Sequence, residues 1–356
     1  MTFATDDTIP SASTDRAAQR LEFARAALND PALTLDPASE DASLRSYWRA
    51  HFAHGSAVLM DAPPPENEKL SAWLDIDARL RAAGLHAPQL LAEDRATGFV
   101  LMEDLGTRLF LPELNESTVD DLYAQALEAL LVMQTRVDAA GLPPYDEQRL
   151  MTELELMPAW FLQKHLGIAI ECDEWDVIEL AFRRLIDNAL AQPRAFLFRD
   201  LHSRNLLVVD ENALGPVTSG LSSPGLVDFQ DALHGPLTYD LVSLLRDCYI
   251  EWDEARVYDW AESHRQRLRD AGALDATIDA RTWRRWFDLM GLQRHVKVLG
   301  IFCRLWYRDG KRGYLNDLPR VWRYVRGVAS QYSEFADFVG LVESKIGGRD
   351  LMQPSR

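Results

Sequence analysis

Three side chains of this 356-residue chain have the types and spacing for chemistry: Asp200, Asn205 and Asp228. The first two stand in Phe198-Arg-Asp-Leu-His-Ser-Arg-Asn205, and the third opens Asp228-Phe-Gln-Asp231 after an intervening loop. Phoshoryl transfer needs a carboxylate that orients and deprotonates the attacking hydroxyl, and hard oxygen ligands for the magnesium that bridges the phosphates. Asp200, Asn205 and Asp228 supply that set. An Asp-x-x-x-x-Asn spacing by itself recurs in ordinary surface loops. Here it comes with His202 two residues after Asp200, apolar runs on both sides and a following Leu226-Val-Asp-Phe-Gln-Asp231, and it is the compound pattern that carries weight.

The elements that must position these groups are short. Ala195-Phe-Leu-Phe198 and Leu206-Leu-Val-Val209 bracket the loop and predict a rigid, hairpin-like frame that converges both polar groups on one pocket, and a third strand-like run closes at Asp228. Asp240, in Thr238-Tyr-Asp-Leu-Val242, reads as a helix-start or loop-anchoring acid.

The order of a catalytic Asp, an Asn a few residues on and a metal-binding Asp is that of the protein-kinase catalytic and metal loops, with Gln230 where those proteins have a glycine. More closely, the two segments resemble the aminoglycoside phosphotransferase and choline kinase branch of the kinase-like superfamily, and the resemblance spans most of the chain. Within that branch, the run from Asp228 to Ile250 looks like the bacterial anomeric amino-sugar kinases, and Ser43–Arg49, Leu59–Pro65 and Arg304–Arg320 agree. The resemblance implies an α+β, bilobal protein-kinase-like fold, with a small β-rich N-lobe and a larger, mainly helical C-lobe. It implies ATP and Mg2+ as cofactors, Asp200 as the catalytic base, and Asn205 and Asp228 as magnesium ligands. The acceptor it implies is a small-molecule amino sugar, N-acetylmuramate or N-acetylglucosamine, phosphorylated on its anomeric hydroxyl in cell-wall sugar recycling. A kinase for an aminoglycoside or another small alcohol, and a silent nucleotide-binding regulator, remain as other readings.

Two departures from the family pattern matter. Phe198 stands where the family loop usually has a histidine, and an aromatic packing anchor replaces it. The small-lobe lysine that holds phosphates is also missing: its strand reads Ala57-Val-Leu-Met-Asp61, and Lys69 is the one lysine before the hinge. Arg45 and Arg49 lie where a phosphate-covering loop belongs, and a guanidinium can grip phosphate bidentately, so Arg45 first and Arg49 second are the replacements expected, with Ser43 assisting. Solvated strand arginines are the other reading. Adenine would be received by backbone groups of the hinge at Met102, Glu103 and Asp104.

On the substrate side, Asp231 either supports the metal loop or faces the substrate, His202 packs the loop, and Arg204 is a further candidate. Arg304 and Arg308 could meet a lactyl carboxylate, although an internal salt bridge is the commoner use of such residues. Most of the tryptophans and tyrosines from Trp283 to Tyr324 are spaced as helix core, leaving one or two to stack on a sugar.

Composition sets the outer bounds. A chain 47% hydrophobic and 26% charged is ordinary globular material, and its net charge of −17 argues against nucleic acid or an anionic membrane as partner. Cys172, Cys248 and Cys303 are odd in number and far apart, so neither a disulfide framework nor a zinc site is indicated. There is no signal-like N-terminus and no run of apolar residues long enough to span a bilayer, so a cytoplasmic protein is expected. A monomer is the default expectation, since the sequence does not give the oligomeric state.

The periodicity predicts a helix over 16–29 with Ala17, Leu21, Ala24 and Leu28 on one face, then strands at 57–60, 89–91 and 99–102 around a helix at 68–83 capped by Gly84. Beyond the hinge, a helix carrying Tyr123, Leu127, Leu130 and Leu131 opens a mainly helical remainder. The expected domains are an N-lobe over 1–103 and a C-lobe over 104–356, with a Gly/Ser/Pro-rich loop at 215–224 inside the catalytic strand cluster.

Overall fold

The computed structural model describes residues 12–40, 45–209 and 223–354. The polar N-terminus before residue 12, Ser43, and positions 215–222 of the Gly/Ser/Pro-rich loop lie outside the described residues. The chain divides into two compact units, one made of residues up to Asp77 with Ala87–Gly106, the other of Ala78–His86 with everything from Thr107 onward.

In the first unit, helix α1 (Ala12–Leu28) precedes five antiparallel strands, β1 (Thr34–Glu40), β2 (Ser46–Phe52), β3 (Gly55–Asp61), β4 (Leu90–Asp94) and β5 (Phe99–Glu103). Their order in the sheet is β1-β2-β3-β5-β4. Strand alternation puts Ala50, Ala57, Leu59, Phe99 and Leu101 in a buried cluster with Ala24 of α1, and Leu21 and Leu28 pack against it. Burying one such leucine contributes about 1.5–3 kcal/mol. Ala17 does not share that face; it is exposed. Arg16 and Arg20 take the inward positions instead, because Asp61 at the end of β3 accepts from both, at 2.6 and 2.9 Å. The flat faces of the two guanidiniums lie over Phe99 and Trp48.

Helix α2 (Leu70–Ala82) follows a single 3-10 turn and ends as its sequence predicts: Gly84 takes φ +84° and the Leu85 N–H reaches the Leu80 carbonyl at 3.0 Å. The second unit holds helices α3 (Phe110–Glu113), α4 (Val119–Arg136), α5 (Glu147–Leu154) and α6 (Cys172–Leu190), then strands β6 (Arg194–Leu197), β7 (Leu206–Leu207), β8 (Gly225–Leu226) and β9 (Leu233–Pro236). Helices α7 (Tyr239–Leu245), α8 (Glu254–Asp270), α9 (Ala280–Asp309), α10 (Leu318–Ala329) and α11 (Ala336–Ile346) complete it. The runs flanking the catalytic loop do not form a hairpin with each other. β6 pairs with β9 and β7 with β8, and β7 is two residues long. The reason is local: Arg199, at φ +79°, turns the chain out of the extended conformation two residues after β6 ends.

Helix α9 is the axis of the second unit. Asp279 caps its start by accepting from the Thr282 N–H at 2.8 Å, and Gly310 ends it in the left-handed conformation. It is buried nearly all round, including the polar residues Asp288, Gln293, Arg294, His295 and Lys297. Gly300 lets it approach the backbone of Leu156: a Cβ there would lie 2.2 Å from the Leu156 carbonyl carbon. Among the described residues no helix is long and apolar enough to cross a membrane.

Candidate active site

The structure brings Asp200, Asn205 and Asp228 together within the second unit. Asn205, only 9% exposed, donates from its side-chain amide to the Asp200 carbonyl at 2.9 Å and to the Asp228 carboxylate at 3.4 Å. The backbone repeats the tie, with the Val227 N–H reaching the Asn205 carbonyl at 3.2 Å. Asp228 is held at φ +64°, a strained region for a residue with a Cβ, and the Gln230 amide steadies its other carboxylate oxygen at 2.8 Å. Among the described residues no side chain hydrogen-bonds the Asp200 carboxylate, whose backbone carbonyl accepts from His202 and Asn205. The carboxylate is therefore open to an incoming hydroxyl.

Acids from distant segments hold this loop by its backbone. Asp240 on α7 accepts from the Phe198 N–H at 2.6 Å and the Arg199 N–H at 2.9 Å, which makes it a loop anchor. Burial pushes its pKa up to about 7, while those two donors act in the opposite direction. Asp247 accepts from the Ser203 N–H at 2.9 Å and hydroxyl at 2.5 Å. Arg199 itself pairs with Glu153 at 2.6 Å, and Lys297 of α9 meets the same carboxylate at 3.0 Å. Burial works to raise the Glu153 pKa, but the Lys297 and Arg199 charges outweigh it and hold it down at about 2.

His202 packs its ring edge-on to Tyr249, with centroids 5.4 Å apart, and burial depresses its pKa, so a neutral packing role fits it. Arg204, an exposed residue, lays its guanidinium over the same Tyr249 ring, 3.6 Å from its centroid. Tyr249 stacks in turn on Phe302, and Phe302 meets Tyr314 at 5.2 Å. Asp231 is exposed on the turn after the metal-loop segment.

The residues expected to bind nucleotide lie in the first unit, and there the structure revises the picture. Arg49 donates to both Asp104 carboxylate oxygens, at 2.7 and 3.2 Å, so it is an internal ion pair and not an open phosphate grip. Against the upward pull of burial, donors from Arg49, Ser56 and the Gly106 N–H keep the Asp104 pKa below its usual value. The Glu103 N–H already reaches the Gln89 carbonyl at 2.8 Å, which removes it as a donor to adenine. Met102 is buried in β5, 4% exposed. Arg45 immediately precedes β2 and is half-buried.

Arg308 pairs with its neighbour Asp309 at 2.8 Å. Arg304 does not follow the salt-bridge expectation: among the described residues no carboxylate lies within ion-pair distance of it, and its Nε is buried without an acceptor. Sequence reasoning missed Glu153, Lys297, Asp247 and Tyr249. Asp247 carried a signal, an acid two residues beyond the mainly apolar segment 239–245, since an acid embedded in a buried segment must have a partner. Glu153 and Lys297 are too far apart in sequence to suggest a pair.

The oxygen donors at Asn205 and Asp228 suit an ATP-bound magnesium, a hard cation that keeps phosphate and water ligands and needs few from protein. Among the described residues no three His, Cys, Asp or Glu side chains form a self-contained metal cage. The model of the phosphotransferase enzyme family (APH) matches residues 34–288. The N-acetylmuramate/N-acetylglucosamine kinase of Pseudomonas aeruginosa is 40% identical over 321 residues, covering 90% of this chain and 91% of that protein. The Neisseria meningitidis protein of the same name is 38% identical, covering 88% and 91%. Among solved structures, an ethanolamine kinase of Plasmodium vivax aligns with a TM-score of 0.61 at 10% identity, over 96% of this chain and 94% of that one. ADP-bound aminoglycoside phosphotransferase APH(2'')-Ib aligns with a TM-score of 0.57 at 11% identity, over 86% and 97%. At such identities the structural likeness establishes a kinase-like fold, and the family match over most of the length, joined to the sequence relatives, shows that this chain belongs to the phosphotransferase enzyme family.

Proposed function

We propose that the protein transfers the γ-phosphoryl group of ATP to the anomeric hydroxyl of N-acetylmuramate and N-acetylglucosamine, giving α-1-phosphates for cell-wall sugar recycling. The observation that carries the reaction type is the joining of Asn205 to both the Asp200 backbone and the Asp228 carboxylate. The sugar is supported by the relatives of that name, aligned over nine-tenths of both chains.

Asp200 directs the C1 hydroxyl and accepts its proton as the new O–P bond forms and the bond to ADP breaks. Asn205 and Asp228 would hold the magnesium, which when bound neutralises charge on the phosphates. Asp240 and Asp247 keep the loop in place through its N–H groups, so Asp200 does not have to be ordered by substrate. Arg45, just before β2, is the residue proposed to grip phosphate in place of the missing lysine. The chain acts on a small molecule, in the cytoplasm.

The deciding experiment is magnesium-dependent ADP release with each amino sugar and with a panel of aminoglycosides, and phosphorus NMR of the product. An α-1-phosphate from either amino sugar is expected. Turnover of aminoglycosides alone, or of nothing, would refute the proposal.

A further inference from the structure

Arg304 is a half-buried cation with no carboxylate to meet it. It sits seven residues, two helical turns and about 10 Å, beyond Lys297 on the same face of α9, with Ile301 between them. Lys297 at the buried end of this stripe shares Glu153 with Arg199, the residue next to Asp200, and the Arg304 charge is felt by both Arg199 and Glu153. The stripe grades from a buried lysine to the exposed Arg308, so Arg304 lies at the level where the loop side of α9 opens to solvent.

Arg199 and Lys297 share Glu153, and Arg308 has Asp309. Arg304 is the member of this stripe with no carboxylate at ion-pair distance among the described residues, in a chain whose net charge is −17. Burial, and after it the Arg308 charge, pull the Arg304 pKa down, the sign expected of a guanidinium lacking an anion. Its Nε is buried and without an acceptor, so no internal group meets the guanidinium from that side.

We infer that Arg304 is the specificity residue for the acidic sugar: its guanidinium edge receives the lactyl carboxylate of N-acetylmuramate. The inference rests on the proposed sugar kinase reading. A carboxylate reaching the Nη end of the guanidinium makes charge-assisted hydrogen bonds there and gives Arg304 the anion it lacks. N-acetylglucosamine, which has a free hydroxyl in place of the lactyl ether, leaves Arg304 as it is. Arg304 is thus a binding group, and its contribution belongs to one of the two sugars.

The test compares kcat/KM for both sugars in the wild type, Arg304→Gln, Arg304→Lys and the control Arg308→Gln, together with the lactyl amide of N-acetylmuramate as a neutral analogue. Arg304→Gln is expected to lower kcat/KM for N-acetylmuramate by about 10- to 100-fold, the range of one charge-assisted bidentate contact, and to leave N-acetylglucosamine within about 2-fold. Arg304→Lys should recover part of the loss, and Arg308→Gln should change neither sugar. The wild type should handle the amide about as poorly as Arg304→Gln handles the acid.

Equal losses for both sugars would make Arg304 a structural residue and overturn the inference, as would no loss for N-acetylmuramate. If the variants do not fold, the wild type still decides, because equal turnover of acid and amide also overturns it. Failure of the wild type on both sugars would instead sink the kinase reading beneath it, and normal N-acetylglucosamine turnover keeps the two failures distinct.

Discussion

Arginine is used in opposite ways in the two units. On the sheet of the first, Arg16 and Arg20 close on Asp61 and Arg49 closes on Asp104, so these guanidiniums fasten secondary structure. In the second, Arg199 is locked to Glu153 beneath the catalytic loop while Arg304, on the neighbouring face of α9, has no anion. The acids differ in the same sense. Asp61 and Asp104 receive guanidiniums, whereas Asp240 and Asp247 receive backbone N–H groups of the loop that carries Asp200. A cation near a functional segment is therefore a poor sign of ligand binding until its internal partners have been found.

The sharpest way to break this contrast is at the loop itself. Asp200→Asn should lower kcat by about 1,000-fold or more while nucleotide binding and the melting temperature stay near wild type, since among the described residues no side chain hydrogen-bonds that carboxylate. Near-normal turnover by the purified variant would remove Asp200 from the mechanism.

Next in size is the anion beneath the loop. Glu153→Gln leaves Arg199 and Lys297 buried without their shared partner and should cost about 3–5 kcal/mol in urea unfolding. The pH dependence follows with a definite sign. The folded Glu153 pKa is depressed to about 2, so its contribution is present above the ordinary glutamate value near 4.5 and is lost as pH falls toward 2. Wild-type stability should fall in that window, and the variant should lack this part of the fall.

A smaller effect of opposite sign belongs to Asp240. Its folded pKa is raised to about 7, so the neutral acid is the form the fold favours, and its contribution weakens as pH rises from about 4 through 7. Asp240→Asn should flatten the stability profile across that range; an unchanged slope would show that Asp240 does not titrate there.

The smallest expected difference separates the two arginines of the first unit. Arg45→Ala should raise the KM for ATP by about 10-fold, the size of one lost charge-assisted contact, while Arg49→Ala should leave it within about 3-fold and lower stability by about 1 kcal/mol. Equal KM values for both variants would return the phosphate grip to some other group.

Much of this architecture was legible in the chain because it depends on near neighbours. Helix and strand periods, the Gly84 cap, and the compact Asp200, Asn205 and Asp228 pattern all express short-range geometry. Even there, Ala17 was misplaced, because Asp61 draws Arg16 and Arg20 to the inward face of α1, and the strands around the catalytic loop chose partners other than each other.

What the sequence by itself determined was the chemistry: an acid, an amide and a second acid spaced for phosphoryl transfer, in a chain with a kinase-like order of elements. What only the tertiary structure decided was which charges remain available for ligands. Arg49 is taken by Asp104 and Arg199 and Lys297 by Glu153, all across long stretches of chain, while Arg304 is left over. Ion pairing acts through space over a few ångströms, so its outcome depends on how distant segments pack and leaves no spacing in the sequence from which to read it.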